Sequence, residues 1–272
     1  MSTPRPEALP DKPAATWAGA SVEGLSRESL EALLTNRIPA IRVPGFATAR
    51  ECREFCAVTR AGPMRYYSAQ PPIGYVGMAQ YEYRWDRPKA DYFRDVEQAD
   101  AARDRVFAGA FDALARVNRA LAAVWPGRVG LAHEPGLGDY FAGIIRDAAA
   151  GIKLHADWGP CNAPDWSVGT IDAQIGWNIY FEVPEAGGDT TVYNAPWSPV
   201  MVGNVPPRSY GLDAAELAAG ERFSFHPSEG ELIFFNVRNP HEVSPGLDGE
   251  RSRVSIGAFV GRMPDGSLVT WS

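Results

Sequence analysis

His155, Asp157 and His241 are the residue types of a metal centre. Two imidazoles and one carboxylate make the facial set of a non-haem Fe(II) site, which keeps an open face for substrate-side ligands and dioxygen. The spacing fits that chemistry. In a β-strand, residues i and i+2 point to the same face, so His155 and Asp157 can grip one ion while Ala156 points away. His241 must then arrive from a distant strand, which a barrel or sandwich allows. Downstream stands Arg253-Val-Ser255. Arg253 and Ser255 share a strand face, and a planar guanidinium with a neighbouring hydroxyl suits one carboxylate. Arg251 has the same parity and is the alternative anchor. His133 and His226 lack matched partners and read as structural, while Asp172 and Asp189 lack a His-x-Asp setting.

These residues need strands to hold them. From about residue 139 short strand patterns recur: Tyr140 to Arg146, Ile152 to His155, Ile175 to Val183, Asp189 to Tyr193, Glu221 to Phe225, Glu231 to Asn236 and Arg253 to Val260. Turn signals such as Pro184-Glu-Ala-Gly-Gly188 and Pro245-Gly246 separate them. Many short strands at this spacing suggest a double-sheet jelly roll. The preceding half is helical. Ser26 can cap a helix opening at Arg27, Ile38 to Val43 reads as a strand, Ala47 to Arg60 as a second helix, and Asp91 to Trp125 as one long helical region. The Tyr-rich stretch from Gly62 to Pro88 reads as loop. The expected organisation is a loose arm over residues 1–20 and a single domain over 21–272. Within that domain helical support occupies 21–130 and a jelly-roll core 139–262, with the helices on the outside of the larger sheet.

Composition narrows the functional classes. The chain has 272 residues, 45% of them hydrophobic, enough for a sizeable core. A net charge of −7 argues against a nucleic-acid surface. Cys52, Cys56 and Cys161 are sparse and odd in number and fit neutral thiols in a reducing compartment. No signal-like start and no membrane-length apolar run is present. The expectation is a cytoplasmic protein without a membrane or nucleic-acid partner.

Taken in order on these strands, His155, Asp157, His241, Arg253 and Ser255 resemble the motif of the Fe(II)- and 2-oxoglutarate-dependent dioxygenases: His-x-Asp, a distant His, then Arg-x-Ser. The resemblance extends through Gly176-Trp-Asn-Ile-Tyr-Phe181, Glu185-Ala-Gly-Gly-Asp-Thr-Thr-Val-Tyr193, Gly230-Glu-Leu-Ile-Phe-Phe235 and Ile38-Pro-Ala-Ile-Arg-Val-Pro-Gly-Phe46. It covers most of residues 35–262. In detail the chain is similar to the free-standing small-molecule subgroup, which includes N-acyl amino-acid hydroxylases and carrier-independent aliphatic halogenases. The resemblance implies a mainly β fold with N-terminal helices, a distorted double-stranded β-helix (a cupin-like jelly roll), with iron at one mouth. It makes His155, Asp157 and His241 the ligands and gives Arg253 and Ser255 the distal carboxylate of 2-oxoglutarate. With dioxygen, such a site hydroxylates an unactivated C–H bond and releases succinate and carbon dioxide.

Asp157 decides a branch. The related halogenases have Gly or Ala there, leaving room for halide, so the carboxylate favours hydroxylation over halogenation or desaturation. A small-molecule substrate is expected, an amino acid or N-acyl amino acid by resemblance. Trp158, directly after the metal motif, Asn178 on a strand, and Arg84 in the Tyr81-Glu-Tyr-Arg-Trp85 loop are the candidate substrate contacts. Trp166, Trp177, Tyr193 and Trp197 lie near the same segments, where core packing is the plainer role. Two rivals remain at this stage: a zinc-type hydrolase using the same three ligands, and a cupin-like binding module without turnover.

Overall fold

The computed structural model describes Trp17 and residues 24–67, 71–83, 87–196, 217, 220–247, 249 and 251–272. Most of the expected 1–20 arm, Arg84 and Trp197 lie outside the described residues.

The first half supplies β1 (Ala40–Val43), β2 (Arg65–Tyr66), β3 (Gly74–Val76) and helices α1 (Arg27–Leu34), α2 (Ala49–Ala61), α3 (Lys89–Gly109) and α4 (Ala113–Val124). The second supplies β4 (Val129–Leu131), β5 (His133–Glu134), β6 (Gly138–Asp139), β7 (Ile144–Asp147), β8 (Ile152–His155), β9 (Ala173–Glu182) and β10 (Thr190–Tyr193). It continues with β11 (Arg222–Phe225), β12 (Leu232–Phe235), β13 (His241–Val243), β14 (Val254–Arg262) and β15 (Leu268–Trp271). The chain is mainly β with a few helices. Among the described residues, a nine-stranded sheet runs β1-β12-β9-β14-β7-β3-β2, with β15 and β4 added beside β14. A four-stranded sheet runs β11-β10-β13-β8. Every pairing is antiparallel except β15 with β4.

Helix starts follow side-chain capping. Ser26 accepts from the Ser29 N–H at 3.1 Å, and Thr48 from the Glu51 N–H at 3.2 Å; each satisfies a donor that the first helical turn leaves open. The apolar stripes Leu30/Leu33/Leu34 and Cys52/Phe55/Cys56 recur at helical spacing and are buried. They pack on the outer face of the large sheet, where β9 sends Ile175, Trp177, Ile179 and Phe181, β12 sends Phe234, and β14 sends Ile256 and Val260. Phe55 stacks on Phe181 with centroids 3.8 Å apart. Each fully buried side chain of this kind contributes about 1.5–3 kcal/mol.

The other parity faces the small sheet. Tyr180, Ile233 and Phe235 pack with Val192 and Phe225 across the gap. Strand registers line up interior rows: Tyr75, Arg146, Ser255 and Tyr180 across β3-β7-β14-β9, and Ile144, Gly257, Asn178 and Ile233 across β7-β14-β9-β12. A Cβ on Gly257 would stand 2.4 Å from Asn178 Oδ1, so the second row requires a glycine there.

Three elements differ from the sequence expectation. The long helical region is two helices, broken where Asp112 accepts from the Ala115 N–H at 2.8 Å and starts α4 afresh. The Gly62 to Pro88 stretch is not all loop: it holds β2, β3 and a 3₁₀ turn, Gln80–Tyr83, which extend the large sheet and wall its end. β15 was unexpected; it follows an Asp265-Gly266 turn and pairs with β14. Among the described residues no helix is long and apolar enough to cross a membrane.

Candidate metal centre

The small sheet brings the two histidines together. His155 ends β8 and pairs directly with His241 at the start of β13, which puts their ring centroids 4.2 Å apart. Asp157 follows β8 and is pinned by its own N–H, which donates to Val237 O at 2.9 Å. Its Oδ2 lies 3.6 Å from His155 Nε2 and 3.8 Å from His241 Nε2. One ligand atom from each residue falls within 4.8 Å of the other two. Ligands at right angles on one ion stand roughly 3 Å apart, so a slight contraction would close the set.

Backbone carbonyls fix the ring tautomers. His155 Nδ1 donates to Lys153 O at 2.7 Å and His241 Nδ1 to Asn239 O at 2.9 Å. A carbonyl only accepts, so both Nδ1 atoms carry a proton, which makes Nε2 the atom from which each ring could ligate a metal. His241 is 6% exposed. Burial, with the neighbouring His155, pushes its pKa down to about 3 despite Asp157, so the ring is neutral near pH 7. Two imidazoles and a carboxylate, with His155 and Asp157 partly accessible, fit a divalent ion with an open face.

Arg253 lies in the interior beyond this cluster. It is 4% exposed. Its Nε donates to Gly188 O at 3.1 Å, and one terminal nitrogen donates to Thr190 Oγ1 at 3.0 Å and Tyr180 Oη at 3.5 Å. All these acceptors are neutral, and no carboxylate among the described residues pairs with it. On β10 Val192 is opposite His241 and Thr190 is opposite Val243. Arg253 therefore meets β10 one two-residue step, roughly 7 Å, from the histidine row. Ser255, 4% exposed, sits between Tyr180 and Arg146 in its row.

The model of the carrier-protein-independent halogenase WelO5 matches residues 20–271. The chain belongs to this family. It is 33% identical over 221 residues to leucinostatins biosynthesis cluster protein S of Purpureocillium lilacinum, covering 76% of this chain and 89% of that protein. It is 27% identical over 271 residues to L-gamma-glutamyl-L-propargylglycine hydroxylase of Streptantibioticus cattleyicolor, covering 95% and 97%. Among solved structures, an N-substituted L-amino acid dioxygenase from Burkholderia ambifaria superposes with a TM-score of 0.59 at 16% identity, covering 90% of this chain and 91% of that one. The same dioxygenase in complex with alpha-KG gives 0.59 at 15% identity, covering 90% of each chain. This family member is an Fe(II)- and 2-oxoglutarate-dependent oxygenase, and dioxygen is its second co-substrate.

Other candidate residues take varied places. Arg251 is at the surface in an ion pair with Glu229, outside the interior that holds Arg253. Trp158 is buried with the Arg238 guanidinium 4.7 Å over its ring, and follows Asp157 directly in the chain. Asn178 is interior, in the row next to Ser255 and Tyr180. Trp177 faces the helices and Trp166 packs among Tyr92, Phe93 and Tyr140. Tyr193 Oη donates to Glu242 at 2.5 Å. His133 and His226 pair with Asp139 and Asp189 at 2.8 and 2.9 Å, and Asp172 pairs with Arg262 at 2.7 Å. Sequence reading missed Arg146 as an interior cation; its only signal was a charged residue closing an apolar strand.

Proposed function

We propose that this oxygenase hydroxylates an unactivated C–H bond of a small amino acid or N-acyl amino acid. His155, Asp157 and His241 hold the iron, and Arg253 with Ser255 holds the distal carboxylate of 2-oxoglutarate. The observation that carries the reading is Asp157. Its carboxylate stands 3.6 and 3.8 Å from His155 Nε2 and His241 Nε2, in the place a halide would need. The family model is named for a halogenase, which makes halogenation the second reading; the carboxylate opposes it. The substrate class draws on the two amino-acid-derived relatives by name. We also infer that the two facing sheets form a distorted double-stranded β-helix with the site at one mouth.

Bound Fe(II) with 2-oxoglutarate and dioxygen supplies the oxidation: the substrate gains a hydroxyl while 2-oxoglutarate becomes succinate and carbon dioxide. The protein supplies placement and shelter. Lys153 O and Asn239 O hold the imidazole rings by accepting from Nδ1. Arg253 meets the far carboxylate where its charge has no acidic partner, so the ligand compensates a buried cation. The step from the histidine row to Thr190 suits a five-carbon diacid lying along β10. Phe235, with its ring centroid 5.1 Å from His241, and Trp158 wall the ligands with apolar surface. The test is product analysis on N-acyl amino acids with chloride present. A mass gain of one oxygen and one succinate per turnover is expected; a chlorinated product would favour the second reading.

A further inference from the structure

A second arginine enters the interior on the opposite flank from Arg253. Arg146 on β7 lies in the row between Tyr75 and Ser255, so its Cβ points to the same side as those of Ser255 and Tyr180. Its neighbour in that row, Tyr75, carries the stacked Tyr67, so the Arg146 side chain enters beside these tyrosines. Arg146 therefore stands between Ser255 and the Tyr-rich wall that β2, β3 and the Gln80–Tyr83 turn build. In that wall Tyr67 stacks on Tyr75 with centroids 4.2 Å apart, and Tyr81 tilts against Tyr67 at 6.0 Å. The Tyr67 hydroxyl is buried beside Tyr81 and Arg146 but makes no hydrogen bond of good geometry with either. A buried hydroxyl left unmatched costs stability, and it persists most economically where a ligand completes it.

We propose that Arg146 and the Tyr67 hydroxyl, walled by Tyr75 and Tyr81, recognise a carboxylate on the substrate. The proposal rests on the oxygenase reading above and specifies its substrate as a carboxylic acid. The assignment follows from counting anions. One carboxylate of a bound 2-oxoglutarate would go to the metal, and the other would have Arg253. A guanidinium and a phenol on the far side of Ser255 then serve a third carboxylate, which the substrate brings. Arg146 has polar partners of its own in the ligand-free protein; they would be exchanged on binding. The aromatic wall next to it suits the apolar part of an amino acid derivative.

The test uses the full chain with Fe(II) and 2-oxoglutarate under anaerobic conditions. The visible charge-transfer band of the iron–2-oxoglutarate chelate reports co-substrate binding. The change in that band on adding N-acetyl-L-leucine, N-acetyl-L-phenylalanine and N-acetyl-L-lysine, each as free acid and as primary amide, reports substrate binding. In the parent at least one acid should bind 10-fold or more tighter than its amide, as a charge-assisted pair implies. Arg146→Gln should erase that preference, Arg146→Lys should keep part of it, and 2-oxoglutarate affinity should move less than about 3-fold in both. Tyr67→Phe removes the hydroxyl alone. It should cut the preference several-fold without lowering Tm, which a merely structural hydroxyl would not do. If Arg146→Gln weakens 2-oxoglutarate as much as Arg253→Met does, Arg146 serves the co-substrate and the proposal fails. It also fails if no acid outbinds its amide in the parent, or if the preference survives in Arg146→Gln. Absence of the band in the parent would instead overturn the underlying oxygenase reading.

Discussion

Replacing Arg253 with Met separates its burial as a cation from the anchoring role proposed for it. The guanidinium is 4% exposed and, among the described residues, donates only to Gly188 O, Thr190 Oγ1 and Tyr180 Oη. Met fills a similar volume and removes a desolvated charge worth several kcal/mol of penalty. It also strips donors from neutral oxygens at about 1.5–3 kcal/mol each. These terms oppose, so Arg253→Met should fold and melt within a few degrees of the parent. Binding has no such cancellation. Losing one partner of a buried charge pair costs about 3–5 kcal/mol, a Kd weaker by roughly 150-fold to 4,000-fold. The assay is thermal melting of the anaerobic Fe(II) protein with and without 2-oxoglutarate at 100 times the parental Kd. Linkage then adds about 2.7 kcal/mol to the parent. For a chain of this size that is a Tm rise of about 5–10 °C. The variant, less than half saturated at that concentration, should rise by about 1 °C or less. An equal rise in both proteins would refute Arg253 as the anchor.

Asp157→Gly should still give the 2-oxoglutarate band but hydroxylate at least 100-fold more slowly; hydroxylation at the parental rate would remove Asp157 from the ligand set. Arg251→Ala breaks an exposed pair with Glu229 and should leave 2-oxoglutarate affinity within about 2-fold and stability within about 1 kcal/mol, read by the same melts. Arg116, ahead of its hydrogen bonds to Thr48, holds the Glu51 pKa down at about 2 from an ordinary 4.5. A lowered folded pKa stabilises above the unfolded value and the gain is lost as pH falls toward 2. Glu51→Gln should therefore cost about 1 kcal/mol at pH 7 and flatten the acid limb of the stability profile between pH 4.5 and 2, measured by urea unfolding.

The chemistry of the site was more legible in the sequence than its geometry. His-x-Asp is a strand-parity statement, and the structure keeps both side chains on one ion-sized cluster. That His241 is the direct cross-strand partner of His155 depends on sheet register, which pairs residues far apart in sequence and leaves no local trace. The α3–α4 break did have a signal. Asp112 is a good N-cap, but the apolar period runs through it and masked the stop. β2 and β3 are short, aromatic and without alternation; they are strands because the edge of β7 pairs with β3. Arg251 and Arg253 are indistinguishable by parity. Burial separates them, since one meets Glu229 at the surface and the other enters the gap between sheets. Arg146 was hidden for the converse reason: a lone arginine at a strand end belongs to no motif until the row containing Ser255 is seen.

The proposed roles make this triad and Arg253 one unit that binds Fe(II) and 2-oxoglutarate together. An anaerobic titration of the metal-free protein with Fe(II) and 2-oxoglutarate, followed by visible absorption and repeated in His241→Ala and Arg253→Met, tests this. The parent should show a weak charge-transfer band, saturating at one iron and one 2-oxoglutarate per chain, absent in His241→Ala and shifted to far higher 2-oxoglutarate concentrations in Arg253→Met. Bound iron without the band in the parent, or an unchanged band in His241→Ala, would contradict it.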